Sequence, residues 1–251
     1  MLKIDQTALI LATIFKTEMA PILSLPEDQR PSDQKSAYAV QNELIKNIGI
    51  LGGWKVGSSS PTAEPSCSPL PQQRIFPAPS AIPAKEFRTL GFEAEIAFTL
   101  GEDLASAMSF SRENVEKAIV SAHPAIEIVS TRFKEWDKVD DFSKMADLQN
   151  HGALLIGAPI INWQRINFSN QPLLIKRNHE TLVNQDGGNG NGEDVLRLLV
   201  WLASHAAKRG LPLRKGMVIT TGSWSGLHPM AVGDSIFVEF FAMGTCTCTI
   251  I

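Results

Sequence analysis

After residue 50 the chain changes character, and that change limits its fold more than any other feature. From "GGWKVGSSS" onward, short apolar segments are separated by Gly, Pro and Ser, the pattern of strands joined by turns. Strands are expected over 92–100, 125–129, 152–156, 173–176, 181–183, 217–220, 235–241 and 245–250. "KRNHETLV" reads as a hairpin turning at Asn178–His179. The first fifty residues differ. Residues 6–19 place Leu9, Ile10, Ile14 and Phe15 near helical spacing, and "SDQKSAYAVQNELIKNIGI" offers Ser32 as a cap before Ala37, Val40, Leu44 and Ile48. Two further helices are expected at 111–122 and 193–208, the second after a flexible "GGNGNGED" turn that lacks the Lys-Ser/Thr and strand context of a phosphate loop. The proline-rich segment 61–83 reads as a loop or lid outside regular structure. Together these make one α+β domain, with residues 1–50 as a helical cap on a β-rich core at 51–251.

A hydrophobic content of 44% and a charged content of 20% suit a globular protein with a substantial core. The net charge of −3 carries no electrostatic footprint for nucleic acid. The apolar run at 8–15 is too short to span a bilayer and lacks the cleavage pattern of a secretory signal, so no membrane partner and a cytoplasmic location are expected. Cys67, Cys246 and Cys248 are odd in number and form no CxxC pair. In "GTCTCTI", Cys246 and Cys248 read as small strand residues.

Within "GFEAEIAFTL", Glu93 and Glu95 stand two apart, so in a strand they share one face about 7 Å apart. Either that face is open to water or something positive sits above it. The flanks favour the second reading: Phe92, Ala94, Ile96 and Phe98 fill the other face, and Ala97 and Thr99 continue the glutamate face with small side chains. Glu127 lies in similar company, between Ala125, Ile126, Ile128 and Val129. A carboxylate in such a segment is costly to bury unless paired or metal-bound. Three carboxylates with no histidine beside them in the sequence suit a hard, oxygen-preferring cation, Mg²⁺ or Mn²⁺. Lys55, between Trp54 and Val56 with glycines on both sides, is either an ammonium snorkelling from a strand end or a group set close to a ligand. The Thr220–Ser223 turn that ends an apolar strand is either a plain turn or a set of donors for a carboxylate.

Taken in order, "AYAVQ", "GGWKVGSSS", "GFEAEIAFTLGEDL", "AIEIVSTRF", "MADLQNHGALLIG", the "WLASHAAKRG" helix and "ITTGS" with "VGDSIFVEF" resemble the 2-keto-4-pentenoate hydratase/4-oxalocrotonate decarboxylase group of the fumarylacetoacetate hydrolase superfamily. The resemblance spans about 37–240. It implies a mixed β-roll, homo-oligomers from dimers upward, and a divalent cation on Glu93, Glu95 and Glu127. It also implies Lys55 as the active-site lysine, and Thr221, Gly222 and Ser223 as the turn that receives the substrate carboxylate. Where such hydratases read Ala-Asp-Asn-Ala-Ser before a glycine, this chain has Ala146-Asp147-Leu148-Gln149-Asn150-His151-Gly152. Asp147 and Gly152 are retained, Asn150 becomes a candidate pocket residue beside Asp147, and His151 reads as a structural or surface histidine. Arg132 reads as a structural ion-pair partner.

The implied activity is metal-dependent hydration of a 2-hydroxy-2,4-dienoate, of the 2-oxopent-4-enoate type, to a 4-hydroxy-2-oxo acid in aromatic catabolism. The alternatives are a 4-oxalocrotonate-type or other 2-oxo acid decarboxylase, or a non-catalytic assembly partner of a related pathway enzyme. Residues 58–75 contain Glu64 but no histidine. The water-activating His–Glu pair common in hydrolases of the superfamily is therefore missing there, which favours hydratase or decarboxylase over C–C hydrolase.

Overall fold

A computed structural model describes residues 3–16, 19–88, 91–105, 107–187 and 194–251. Two helices open it, α1 (Ile4–Lys16) and α2 (Gln34–Ile48). The cap of α2 is Asp33, one residue beyond the expected Ser32: its carboxylate accepts from the Ser36 amide at 2.7 Å, and the Ser36 hydroxyl answers the Asp33 amide. Ala8, Leu11 and Ala12 of α1 pack with Ala37, Val40, Leu44 and Ile48 of α2, and the same cluster takes in Phe133, Val139, Ala146 and Leu148. The helical region is thus packed directly onto the segment that leads into residues 147–151.

The core follows as β1 (Leu51–Gly57), β2 (Ser66–Pro71), β3 (Ile75–Pro77), β4 (Ser80–Ile82), β5 (Gly91–Leu100), α3 (Arg112–Ala118), β6 (Ile119–Val129), α4 (Asp141–Ala146), β7 (His151–Ile156), β8 (Leu173–Arg177) and β9 (Glu180–Gln185). It ends with α5 (Leu196–Lys208), β10 (Val218–Ser223), β11 (His228–Pro229), β12 (Ser235–Phe240) and β13 (Gly244–Ile250). Among the described residues the strands form two mixed sheets, ordered β2-β1-β10-β5-β6-β7-β3, with β11 beside β5, and β4-β13-β12-β8-β9. One face of the first sheet, through Trp54, Phe92, Ile96, Phe98 and Ile126, shares a single core with Leu198, Leu199 and Leu202 of α5 and with Val238, Phe240, Cys246 and Cys248 of the second sheet. Both C-terminal cysteines are therefore small buried strand residues, as their alternation predicts. The Asn178–His179 hairpin joins β8 to β9, with Asn178 in the left-handed region at φ 55°.

Two expectations change. The segment 61–83 is not a lid: β2, β3 and β4 run through it, and Cys67, Ser68 and Leu70 are fully buried. Its prolines are tolerated because β2 is an edge strand paired only with β1, so the missing N–H of Pro69 or Pro71 leaves no ladder incomplete on the outer side. The helix expected over 111–122 stops at Ala118, and β6 begins at Ile119; pairing with β5 along its length overrides the helical reading. Residues 188–193 of "GGNGNGED", including the expected start of the last helix, lie outside the described residues. Among the described residues no helix is long and apolar enough to cross a membrane.

Candidate metal centre and active site

The register of four adjacent strands assembles the site. Glu93 on β5 lies directly opposite Glu127 on β6, with Glu95 two residues further along the same face of β5. On the other side of β5, β10 sets Ser223 opposite Glu95, and beyond it β1 pairs Lys55 with Thr220. One carboxylate oxygen from each of Glu93, Glu95 and Glu127 lies within 4.8 Å of the others. Beneath them the same face continues as an apolar floor of Leu70, Ala97, Ala125, Leu154 and Val218. Glu95 and Glu127 are fully buried, while Glu93 and Lys55 sit half-buried at the rim.

Like charges directly opposite one another destabilise a sheet, and the surroundings answer that cost only in part. The Lys55 ammonium bonds both oxygens of Glu127 at 2.7 Å. Glu95 Oε2 accepts from the Thr220 hydroxyl and from the Gly222 amide, but Glu95 Oε1 is buried with no donor among the described residues. Burial, reinforced by Glu127, pushes the Glu93 carboxyl up to about 7 and the Glu95 carboxyl up to about 8. Burial disfavours the Lys55 charge, yet Glu127, Glu95 and Glu93 outweigh it and hold the ammonium above the ordinary lysine range. With all three glutamates ionised, they and the one ammonium leave two negative charges in excess, which one dication would balance. The donor set, all oxygen, close together and including a residue with a buried oxygen that has no donor among the described residues, fits a hard divalent cation.

The neighbouring turn supplies further contacts. His151 Nδ1 donates to Glu127 Oε1 at 2.8 Å, while its Nε2 is buried without a partner among the described residues. Burial, then the nearby positive charges of Lys55 and Arg132, hold this imidazole well below its ordinary pKa, so it is neutral. Read from sequence as structural or surface, His151 is fully buried against a candidate ligand. Leu148, Gln149 and Asn150 all have left-handed backbones, with φ of 52°, 51° and 60°, each costing roughly 1–2 kcal/mol for a non-glycine residue. The Gln149 carbonyl accepts from Lys55 at 3.2 Å, and Asn150 Oδ1 is buried without a donor among the described residues. Gly152 carries no Cβ because one there would lie 2.7 Å from the Ile128 carbonyl.

The remaining expected site residues fall into two groups. Asp147 is fully buried and fully engaged: its two oxygens take Arg132 Nε, the Arg132 amide at 2.9 Å and the Thr131 hydroxyl at 3.0 Å. Burial raises its carboxyl against the pull of Arg132. The guanidinium also bonds the Asp147 carbonyl at 2.7 Å and the His151 carbonyl at 2.8 Å, which agrees with the ion-pair reading of Arg132. Asp147 therefore has no free oxygen for a substrate. Within the C-terminal turn, the Thr221 hydroxyl is bound to the Ile96 carbonyl at 2.9 Å and the Gly222 amide to Glu95. Ser223 is half-buried, with its hydroxyl on the Gly226 carbonyl at 3.3 Å. Gly53 serves the fold, since a Cβ there would meet the Val218 carbonyl of β10. Sequence reasoning did not single out Thr220 as a partner of Glu95, nor Gln149 as a partner of Lys55; both contacts arise from strand order and from a turn without a local signature.

The profile of the family described as Fumarylacetoacetate (FAA) hydrolase C-terminal matches residues 55–251. The chain belongs to that family. This fumarylacetoacetate hydrolase family chain is similar to 2-hydroxyhexa-2,4-dienoate hydratase of Comamonas testosteroni, 31% identical over 62% of this chain and 58% of that relative. It is 28% identical to 2-keto-4-pentenoate hydratase of Paraburkholderia xenovorans (strain LB400), over 85% of this chain and 82% of the relative. Its fold is similar to that of 4-oxalocrotonate decarboxylase from Pseudomonas putida G7, complexed with magnesium and adipate: the TM-score is 0.85 at 21% identity, covering 100% of this chain and 99% of the other.

Proposed function

We propose that the protein is a divalent-metal-dependent hydro-lyase that converts 2-hydroxy-2,4-dienoates, of the 2-oxopent-4-enoate type, into 4-hydroxy-2-oxo acids, with Mg²⁺ or Mn²⁺ as the metal. The observation that carries this reading is the convergence of Glu93, Glu95 and Glu127 beside the Lys55 ammonium, two charges short of balance. The names of the relatives support the hydratase reaction, and the magnesium in the decarboxylase neighbour supports the metal.

Glu93, Glu95 and Glu127 would hold the cation. Bound there, it would act as a Lewis acid on the 2-oxo oxygen and favour the enolate form of the substrate. Lys55 Nζ, held protonated by the glutamates, gives a proton to the far carbon C5 while the 2-hydroxyl gives its own up to solvent, and water then adds across C3 and C4, its hydroxyl to C4 and its proton to C3. Within the Thr221-Gly222-Ser223 turn, the Ser223 hydroxyl is assigned to the substrate carboxylate, with Thr221 and Gly222 fixing Ile96 and Glu95 behind it. Asn150 Oδ1 supplies a polar contact in the pocket, and Asp147 is assigned to scaffolding Arg132. The apolar floor under the glutamates excludes bulk water from their inner side, which strengthens every charge interaction at the rim.

The test is a spectrophotometric assay with 2-hydroxypenta-2,4-dienoate and Mg²⁺. Loss of dienoate absorbance without CO₂ establishes hydration; CO₂ release from 4-oxalocrotonate or oxaloacetate places the chain among decarboxylases instead. Inactivity on both, with metal content unchanged in Glu127→Ala, would overturn the metal-enzyme reading and leave an assembly role, which co-purification of a related subunit would show.

A further inference from the structure

We propose that Gln149 is a positioning residue for Lys55, acting through the left-handed turn Leu148–Asn150. The inference rests on the reading of Lys55 as the proton-carrying group. A run of left-handed residues without glycine persists only where its surroundings over-determine it, and here they do. The Asn150 carbonyl accepts from the Ser130 amide at 2.8 Å, and the Asn150 amide donates to the Asp147 carbonyl at 3.0 Å. Arg132 clamps the carbonyls of Asp147 and His151 on either side, and the Leu148 side chain is fully buried. Toward β2, the tie is the Gln149 side chain, whose Nε2 donates to the Ser66 hydroxyl at 2.8 Å.

The consequence falls on Lys55. Among the described residues its ammonium has three acceptors: the two oxygens of Glu127 and the Gln149 carbonyl. The two carboxylate oxygens belong to a residue that is also a candidate metal ligand, so their lone pairs are in demand. The Gln149 carbonyl belongs to no glutamate, so it is the anchor that keeps Nζ in place whatever else Glu127 binds. Where that carbonyl points depends on the turn, because reversing the sign of φ swings a peptide group away. The amide tie to Ser66 therefore sets the position of the Lys55 ammonium from a distance.

Gln149→Ala leaves the carbonyl and removes the tie; Ser66→Ala removes the same tie from its other end. Mg²⁺, and then oxalate as a planar mimic of a 2-oxo acid, are titrated calorimetrically into the full-length protein, with thermal midpoints recorded alongside. Each single variant is expected to weaken oxalate binding to the Mg²⁺-loaded protein about tenfold, with Mg²⁺ affinity within about twofold of wild type. The double variant should be no weaker than either single, and Gln149→Ala should add nothing in a Lys55→Met background. Wild-type oxalate affinity in both single variants would overturn the proposal, as would parallel loss of Mg²⁺ and oxalate, which would mean that the turn supports the glutamates and not the lysine. Should Gln149→Ala fail to fold, Ser66→Ala carries the same test. A wild-type protein that binds Mg²⁺ but no oxalate would instead strike at the proposed function, and the two failures are thereby told apart.

Discussion

Two buried ionic clusters meet at the segment 147–151, and they are built on opposite principles. Arg132 and Asp147 form a matched pair, one charge against one, with the Asp147 oxygens and the Arg132 guanidinium both bonded to surrounding groups. The glutamate cluster sets three carboxylates against Lys55 and leaves Glu95 Oε1 without a donor among the described residues. The first arrangement stabilises the fold around a segment whose backbone is strained. The second gathers carboxylate charge that a bound cation would relieve, the pattern by which a candidate binding centre differs from a structural ion pair.

Breaking the matched pair should have the largest effect on folding. Arg132→Met leaves Asp147 buried and unpaired, and is expected to cost about 3–5 kcal/mol in equilibrium urea unfolding. A loss below about 1 kcal/mol would erase the distinction drawn between the clusters. Glu95→Gln should behave in the opposite way. Above pH 8, where Glu95 is ionised, it removes one of the repelling charges, so there the metal-free protein should hold its stability or gain some, while Mg²⁺ affinity measured by calorimetry falls by roughly a hundredfold or more. Equal losses of stability from both substitutions would show that the glutamates are structural.

The comparison is sharpened further by pH. Because Glu93 titrates near 7 and Glu95 near 8 in the folded protein, against 4.5 for an unperturbed glutamate, the folded state binds more protons than the unfolded state across that window. Stability of the metal-free protein should therefore fall as pH rises from about 4.5 through 8. Over the upper part of the same range Mg²⁺ binding should strengthen, because protons and the cation compete for the same oxygens. Urea midpoints and Mg²⁺ titrations at pH 6, 7 and 8 check both slopes, and a flat Mg²⁺ affinity would sink this account of the cluster. The smallest effect has the opposite sign and a remote source. His205, stacked on Trp201 at 4.3 Å, is pushed down to about 4 chiefly by burial, so its contribution is complete above about 6.5 and is lost as pH falls toward 4. His205→Gln should flatten the acid limb of the stability curve and leave the limb above pH 7 unchanged.

Much of the site was legible in the sequence because its chemistry is local to single strands. Alternation alone put Glu93 and Glu95 on one face of β5, and it was their apolar and small neighbours that favoured something positive above that face over open water. Lys55 stood out by its glycine-flanked apolar setting, although Gly53 proves to serve the approach of β1 to β10. Asp147 illustrates the limit. Its place in a motif suggested the pocket, but its carboxylate is spent on Arg132 and Thr131, partners 15 and 16 residues away in the sequence. The contact between His151 and Glu127 was likewise invisible, because it depends on β6 and β7 being neighbours with a register shift between Ile128 and Val129.

The sequence by itself determined which residues alternate into the core, which carboxylates are too costly to bury alone, and where helix gives way to strand near residue 50. These follow from side-chain period and desolvation, both properties of a short stretch of chain. Tertiary structure decided the rest: that proline-rich segments become edge strands, that "IVSA" pairs with β5 instead of extending a helix, and that Gln149 turns left-handed beside Lys55. Each of those outcomes is set by a partner distant in the chain, whose hydrogen bonds or packing outweigh a local preference of about 1 kcal/mol per residue.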